Sequence, residues 1–358
     1  MLHTDNEVSD SNKEEKKKQK MPKGRKTLII ILCVLLGLAI ALTAAFFIMR
    51  AVGKSGFNPV ILKEENVDVP GSIFYDEGRT VEYKGKKYSF NENIIPIALF
   101  GLDRSDIGDT VNKSGQSTTQ NDMNMVAAFD TATGKMTLIS VPRDMLAEVN
   151  IQTDDGTVTG IQSMQLCLAF SFGDGKEKSC ENALVALKRL LCNIEIDRYA
   201  ALDFNSIAAL NDAVGGVDIV ASETIGSFKE GERYHLVGNS ATKYVHTRDT
   251  GRFNSDSSRR ARQLQYMRAF GDKALASIKN DFSTVTGLYN ITKEHSFTNV
   301  TLSETVFLAS CAAESGNFSM DNIISVEGEA EMKDGFMIVH PDQTSVFEAV
   351  LYSFYNEI

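Results

Sequence analysis

From Thr27 to Met49 the chain runs 23 residues without a charge, bracketed by Lys26 and Arg50. As a helix at ~1.5 Å per residue this stretch reaches ~34 Å, enough to cross a ~30 Å hydrocarbon core. A cleaved signal peptide would have a shorter apolar core and a small-x-small cleavage site, whereas this core ends in Phe46, Phe47, Ile48 and Met49. The stretch therefore reads as an uncleaved anchor. Residues 1–26 carry 8 Lys and Arg against 5 Asp and Glu, while only Arg50 and Lys54 follow closely on the other side. The positive-inside bias puts the N-terminus in the cytoplasm and everything after about residue 50 outside.

Charge matters next because it is uneven. The 358 residues sum to −10, which argues against a general nucleic-acid binder. Within that acidic total, Lys243 to Arg268 holds seven basic residues against Asp249 and Asp256. Of the cysteines, Cys33 lies in the span, and the other four would face an exterior where a disulfide is possible. Their spacing matches no zinc pattern. Cys167–Cys180 is the expected pair, with buried free thiols as the alternative.

The outer part reads as alternating strands and helices. Thr80–Tyr83 and Lys87–Phe90 flank a Lys84-Gly85-Lys86 turn, and Ile94 to Phe100 is an apolar run of strand length. Met123–Phe129 and Lys135–Val141 form a second hairpin. Helical periodicity marks 163–172, 181–192, 204–213, Asp256 to Ile278, 303–313 and 344–356, with strands at Val217–Val220 and Phe336–Val339. The fold class is α/β (α+β), a central mixed β-sheet covered by helices, behind one N-terminal transmembrane helix.

No serine-hydrolase, zincin, Walker or dinucleotide signature is present. What remains is a set of acids and arginines at strand ends. Asp103 follows the Ile94–Phe100 run at the carboxyl end, where open α/β sheets place ligands. Asp122 precedes one strand of the second hairpin and Arg143 follows the other, so the hairpin brings them together at one sheet edge. Each alone reads as an ordinary loop-end charge; together they suggest a cation-and-anion site. Asp256-Ser257-Ser258 offers N-cap chemistry to a helix whose first turn shows Arg259, Arg262 and Gln263 on one face. Free backbone N–H groups and guanidinium forks there suit phosphate. A solvated helix face is the plain alternative.

Taken in order, these segments resemble the LytR–CpsA–Psr family of cell-wall glycopolymer ligases. The carriers are Ile95–Arg104 (IPIALFGLDR), Asn121–Ala127 (NDMNMVA), Leu138–Asp144 (LISVPRD), Gln165–Gly175 (QLCLAFSFGDG), Asn211–Val220 (NDAVGGVDIV) and Tyr244–Gln263. The resemblance covers about 93–282 and implies that Asp103 and Asp122 hold Mg²⁺ against a pyrophosphate. It implies that Arg143, Arg248, Arg259, Arg262, Gln263 and Arg104 grip phosphate oxygens, with Asp103, Asp122 and Arg143 catalytic. The chain departs from the family at His246, where Arg or Lys is usual, near Gln120, where an Arg usually precedes the second acid, and in the long Ser105–Asn121 loop.

The organisation that follows is a basic head (1–26), a transmembrane helix (27–49), a stalk and hairpin (50–92), a catalytic domain (93–282) and a C-terminal extension packed on it (283–358). The implied reaction moves a glycopolymer, of teichoic-acid or capsule type, from a polyprenyl-pyrophosphate carrier to a peptidoglycan hydroxyl at the outer face of a Gram-positive type membrane. Helices near 163–172 and 181–192 could line a lipid tunnel, or be ordinary core. A non-catalytic envelope regulator, a lipid-linked glycan-binding module and a hydrolase of the carrier remain alternatives.

Overall fold

The computed structural model describes residues 23–59, 61–103, 119–249 and 255–358. The chain divides into two units, Met1–Ile48 and Met49–Ile358. Helix α1 (Lys23–Lys54) contains a window, Gly37–Lys54, long and apolar enough to cross a membrane. Its final turn belongs to the second unit, where Arg50 pairs with Glu314 at 2.7 Å.

In the second unit, β1 (Ile73–Tyr75), β2 (Thr80–Tyr83) and β3 (Lys86–Phe90) lead into β4 (Ile94–Leu102), β5 (Asn121–Asp130) and β6 (Lys135–Val141). A hairpin of β7 (Leu146–Gln152) and β8 (Val158–Gln165) and a 3-10 turn (Leu166–Ser171) follow, then α2 (Glu177–Leu190) and β9 (Tyr199–Leu202). Next come α3 (Phe204–Ala213), β10 (Val217–Val220), β11 (Arg233–Leu236), α4 (Asn239–His246) and α5 (Ser255–Asn280). The chain closes with α6 (Thr284–His295), β12 (Ser296–Thr298), α7 (Leu302–Ser315), β13 (Ser319–Ser325), β14 (Gly328–Lys333), β15 (Phe336–Pro341), α8 (Gln343–Phe354) and β16 (Tyr355–Glu357).

The central sheet runs β12-β9-β4-β5-β6-β13. β4 pairs parallel with β9 and antiparallel with β5, and β13 pairs parallel with β6, so the sheet is mixed. Period-two alternation assigns its faces. Ala98, Phe100 and Leu102 enter one large core with Leu187 of α2 and Val350 of α8. Ile97 and Leu99 turn to the opposite face, towards α3 and α5. A smaller sheet, β1-β2-β3-β16, ties the segment ahead of β4 to the last strand of the chain. There the buried Tyr355 hydroxyl donates to Gly78 O at 2.7 Å and accepts from Leu62 N at 2.8 Å.

Several expectations change on this frame. Periodicity over 163–172 predicts a helix, but the segment is the end of β8 followed by the 3-10 turn. The backbone there is satisfied from outside: the buried Asn121 amide donates to Leu166 O at 3.3 Å and its Oδ1 accepts from Phe170 N at 3.2 Å. The helix expected over 344–356 stops at Phe354, because Tyr355 turns extended and pairs with Phe90. The N-cap expected at Asp256 precedes no new helix start, since α5 is already helical at Ser255. All four outer cysteines are buried free thiols, so Cys167 and Cys180 are not bridged.

The Asn121 side chain, which also donates to Asn124 Oδ1 at 2.5 Å, pins the 3-10 turn to the strand that begins the site. Asn121→Ala would strand Leu166 O and Phe170 N–H in the interior, each costing about 1–3 kcal/mol. A loss of about 3 kcal/mol in urea unfolding is expected, with the anchored unit otherwise folding.

Candidate functional site

The site begins in an irregularity. β4 and β5 pair residue for residue to Gly101↔Met123, and the next pair is Leu102↔Asn121. Asp122 is therefore the extra residue of a bulge, a device that re-aims a side chain at the end of a ladder. Asp103 closes the pair from the other strand, its N–H donating to Gln120 O at 3.0 Å. The β5–β6 ladder sets Asn124 against Val141, which carries Pro142 and Arg143 past the sheet edge beside Asp122.

Arg143 donates through Nη1 to Asp122 Oδ1 and through Nη2 to Gln120 Oε1 at 2.6 Å. Its Nε lies 3.4 Å from Asp144 Oδ1, and Nη2 lies 3.4 Å from Cys167 Sγ. Burial works against the charge of this guanidinium, but its partners, Cys167, Asp122 and Asp144, leave its pKa raised. Burial likewise pushes the Cys167 thiol up to about 11, against the pull of Arg143, so at neutral pH it is a neutral thiol. Cys167 is thus turned to Arg143, and both it and Cys180 are free thiols.

From the opposite side comes α5. Arg259, almost fully buried, sets Nη1 3.5 Å from Asp122 Oδ2. The Asp122 carboxylate consequently lies between two guanidiniums. Arg260 and Gln263 complete the wall of a small polar cleft with Asp122, Arg143, Arg259 and Ser140. Gln263 also donates to Val245 O at 3.3 Å, joining α5 to α4.

Directly behind the cleft opens a second, larger cavity of about 380 Å³. Asp122, Met123, Arg259 and Gln263 line both spaces, and His246 stands at the larger one. Deeper in, the walls are apolar: Ile97 and Leu99 from β4, Leu210 from α3, and Tyr266, Met267 and Phe270 from α5. The lining comes from the sheet face opposite α2. The 3-10 turn and α2, expected either to line a tunnel or to be core, are core.

Other candidates sit elsewhere. Arg262 is 1% exposed, and its guanidinium donates through Nε to Glu223 Oε1 at 2.8 Å, to Tyr244 O and to Thr247 O at 2.5 Å. It lines neither space and holds α4 and the following turn onto α5. Arg248 is exposed just beyond α4, and Arg104 falls outside the described residues. The sequence reading overlooked Arg260 in the cleft and Gln120 as a partner of Arg143. Asp203 caps α3 by accepting from Ser206 N, and its buried Oδ2 has no hydrogen-bond partner. The spacing of Arg259, Gln263, Tyr266 and Phe270 at three and four residues was the available signal for the cavity wall.

The fold and site define a mixed α/β domain whose arginine-rich edge lies over an apolar cavity. The chain belongs to the LytR_cpsA_psr family, which matches residues 74–351. It is 25% identical over 245 residues to the polyisoprenyl-teichoic acid–peptidoglycan teichoic acid transferase TagV of Bacillus subtilis (strain 168), covering 64% of this chain and 57% of that protein. This chain thus spans a little over half of that relative. In fold it is similar to the crystal structure of B. subtilis TagV, with a TM-score of 0.54, 21% identity, and coverage of 74% of this chain and 96% of that one. It is also similar to TagT bound to LIIa-WTA, with a TM-score of 0.53, 18% identity, and coverage of 73% and 90%.

Two outcomes follow. Cys167 has its pKa raised from 9.0 to about 11 by folding, so the stability it contributes is complete below pH ~9 and is lost as pH rises through about 11. Unfolding midpoints measured across that window should fall less steeply in Cys167→Ser than in the parent. Arg262→Ala should lower stability by about 3–5 kcal/mol in denaturant titration, because it leaves Glu223 and two carbonyls without their buried partner.

Proposed function

We propose that this protein is a membrane-anchored transferase that moves a glycopolymer from a polyprenyl-pyrophosphate carrier to a peptidoglycan hydroxyl. One observation carries the reading: the arginine-lined cleft and the apolar cavity share a wall at Asp122, Arg259 and Gln263. Such a pair of spaces suits a molecule with an anionic head and a long apolar tail. The named activity of the relative TagV supports the same class. With 8 basic residues ahead of the span, the N-terminus lies in the cytoplasm and the site outside. The polymer is of teichoic-acid or capsule type.

Arg143, Arg259 and Arg260, with Gln263, surround the cleft as donors for phosphate oxygens. Bidentate guanidiniums suit such oxygens and stabilise charge that grows in the transition state. The acceptor oxygen attacks the phosphorus next to the glycan, the bridging P–O bond breaks, and polyprenyl phosphate leaves with that electron pair. One of the two acids at this edge, Asp103 or Asp122, takes the hydroxyl proton. The product is a phosphodiester between glycopolymer and peptidoglycan.

Mg²⁺ wants hard oxygen donors and is commonly held by one or two carboxylates together with substrate phosphate. Among the described residues no three His, Cys, Asp or Glu side chains converge on a metal position. Asp122 lines the cleft and the exposed Asp103 follows β4 beside the bulge, so these two carboxylates are the donors that an ion completed by pyrophosphate would use. Asp103 and Asp122 would hold it, and when bound it neutralises phosphate charge. Arg143 and Arg259 hold the Asp122 carboxylate in place from two sides.

The test is transfer by the full chain in detergent, given a polyprenyl-pyrophosphate glycan, a peptidoglycan oligomer and Mg²⁺. Arg143→Ala should lower kcat by about 10²–10³. Unimpaired transfer by that variant would sink the assignment. Phosphate release to water without acceptor would mark a hydrolase, and donor binding without turnover a binding module.

A further inference from the structure

The far end of the cavity is built by a part of the chain that lies outside the segments resembling the ligase motifs. Pairing of β13 with β6 is regular from Asn322 onward, but the register slips between Ser319 and Asn322. Met320 sits in that irregularity, is 9% exposed, and lines the cavity. A bulge turns a side chain out of the strand's alternation, and here it delivers a thioether to the cavity. The Met320 carbonyl accepts from Arg268 Nε at 3.1 Å, which fixes the bulge against α5.

Opposite stands Gly271, in the middle of α5. A Cβ at this position would come within 2.4 Å of Met320 Cε and 3.4 Å of its Sδ. Glycine inside a helix costs about 1 kcal/mol against alanine, so propensity alone disfavours it here. Its absence of a side chain is what gives the thioether its place. Along α5 at ~1.5 Å per residue, Gly271 lies ~18 Å from Arg259 at the charged mouth. Met136, at the start of β6, closes the same end.

We propose that Met320, seated against Gly271, forms the end wall of the cavity and sets the length of apolar chain that the site accepts. This rests on the reading of the cavity as a lipid site. Methionine is unbranched and adaptable, so the wall yields by rotamer changes and not by backbone movement. Met320→Ala removes the wall and admits a longer chain. Gly271→Ala pushes the thioether into the cavity and shortens it.

The experiment is isothermal titration of the full chain in detergent with geranyl, farnesyl, geranylgeranyl and solanesyl phosphate. The parent should gain affinity with chain length up to a limit and then level off. In Met320→Ala the first probe beyond that limit should bind about tenfold tighter than it binds the parent, since each newly buried methylene adds about fourfold. In Gly271→Ala the probe at the limit should bind about tenfold more weakly. The double variant should lose the Gly271→Ala effect, because that substitution acts through the Met320 side chain. A limit unmoved in both single variants overturns the proposal and leaves the lipid reading standing. Failure of every prenyl phosphate to bind the parent overturns both.

Discussion

One carboxylate between two guanidiniums organises this molecule's site. Asp122 meets Arg143 from the end of β6 and Arg259 from the first turns of α5. The two cations would repel each other if brought to one place alone, and the acid between them makes their approach favourable. Asp144 adds a second acid at 3.4 Å from Arg143, and Arg260 a third guanidinium at the cleft. Three segments distant in sequence are held together by the same charges that face the cleft. Binding chemistry and local architecture therefore depend on one another here.

The sheet gives the site its second half. One face is filled by α2 and α8 to a continuous apolar core, and the other is covered by α3 and α5 with a hollow left between. A packed face supports rigid strands, and an unfilled apolar face offers room for a chain of similar chemistry. Because alternate residues of β4 look to opposite sides, Phe100 stabilises the fold while Leu99 lines the cavity. The bulge at Asp122 stands where the two requirements meet, ending the ladder and turning an acid to the mouth.

Much of this was legible residue by residue. The strand order of a hairpin requires that the residue before its first strand and the residue after its second be neighbours, and Asp122 and Arg143 are. The Arg259-to-Gln263 spacing gave one stripe of α5. Arg262 shows where such reasoning stops. A helix advances ~100° per residue, so residues three apart still differ by ~60°. That offset suffices to turn Arg259 to the cleft and Arg262 to the carbonyls of Tyr244 and Thr247. The 3-10 turn was misjudged for a similar reason. Its periodicity is real, but Asn121 from another strand takes up its backbone groups.

The sequence by itself determined the features that depend on near neighbours. Among these are an uncharged run long enough to span a bilayer, hairpins whose turns carry glycine, and amphipathic helices with basic residues clustered on one of them. Local sterics and periodicity suffice for those. Which arginine reaches the carboxylate, which sheet face stays hollow, and that Met320 from late in the chain closes that hollow were decided only by the tertiary structure. Those outcomes depend on the registers of β5 and β13 and on the rotation of α5. Each is set by packing between segments far apart along the chain, and composition and spacing carry no record of it.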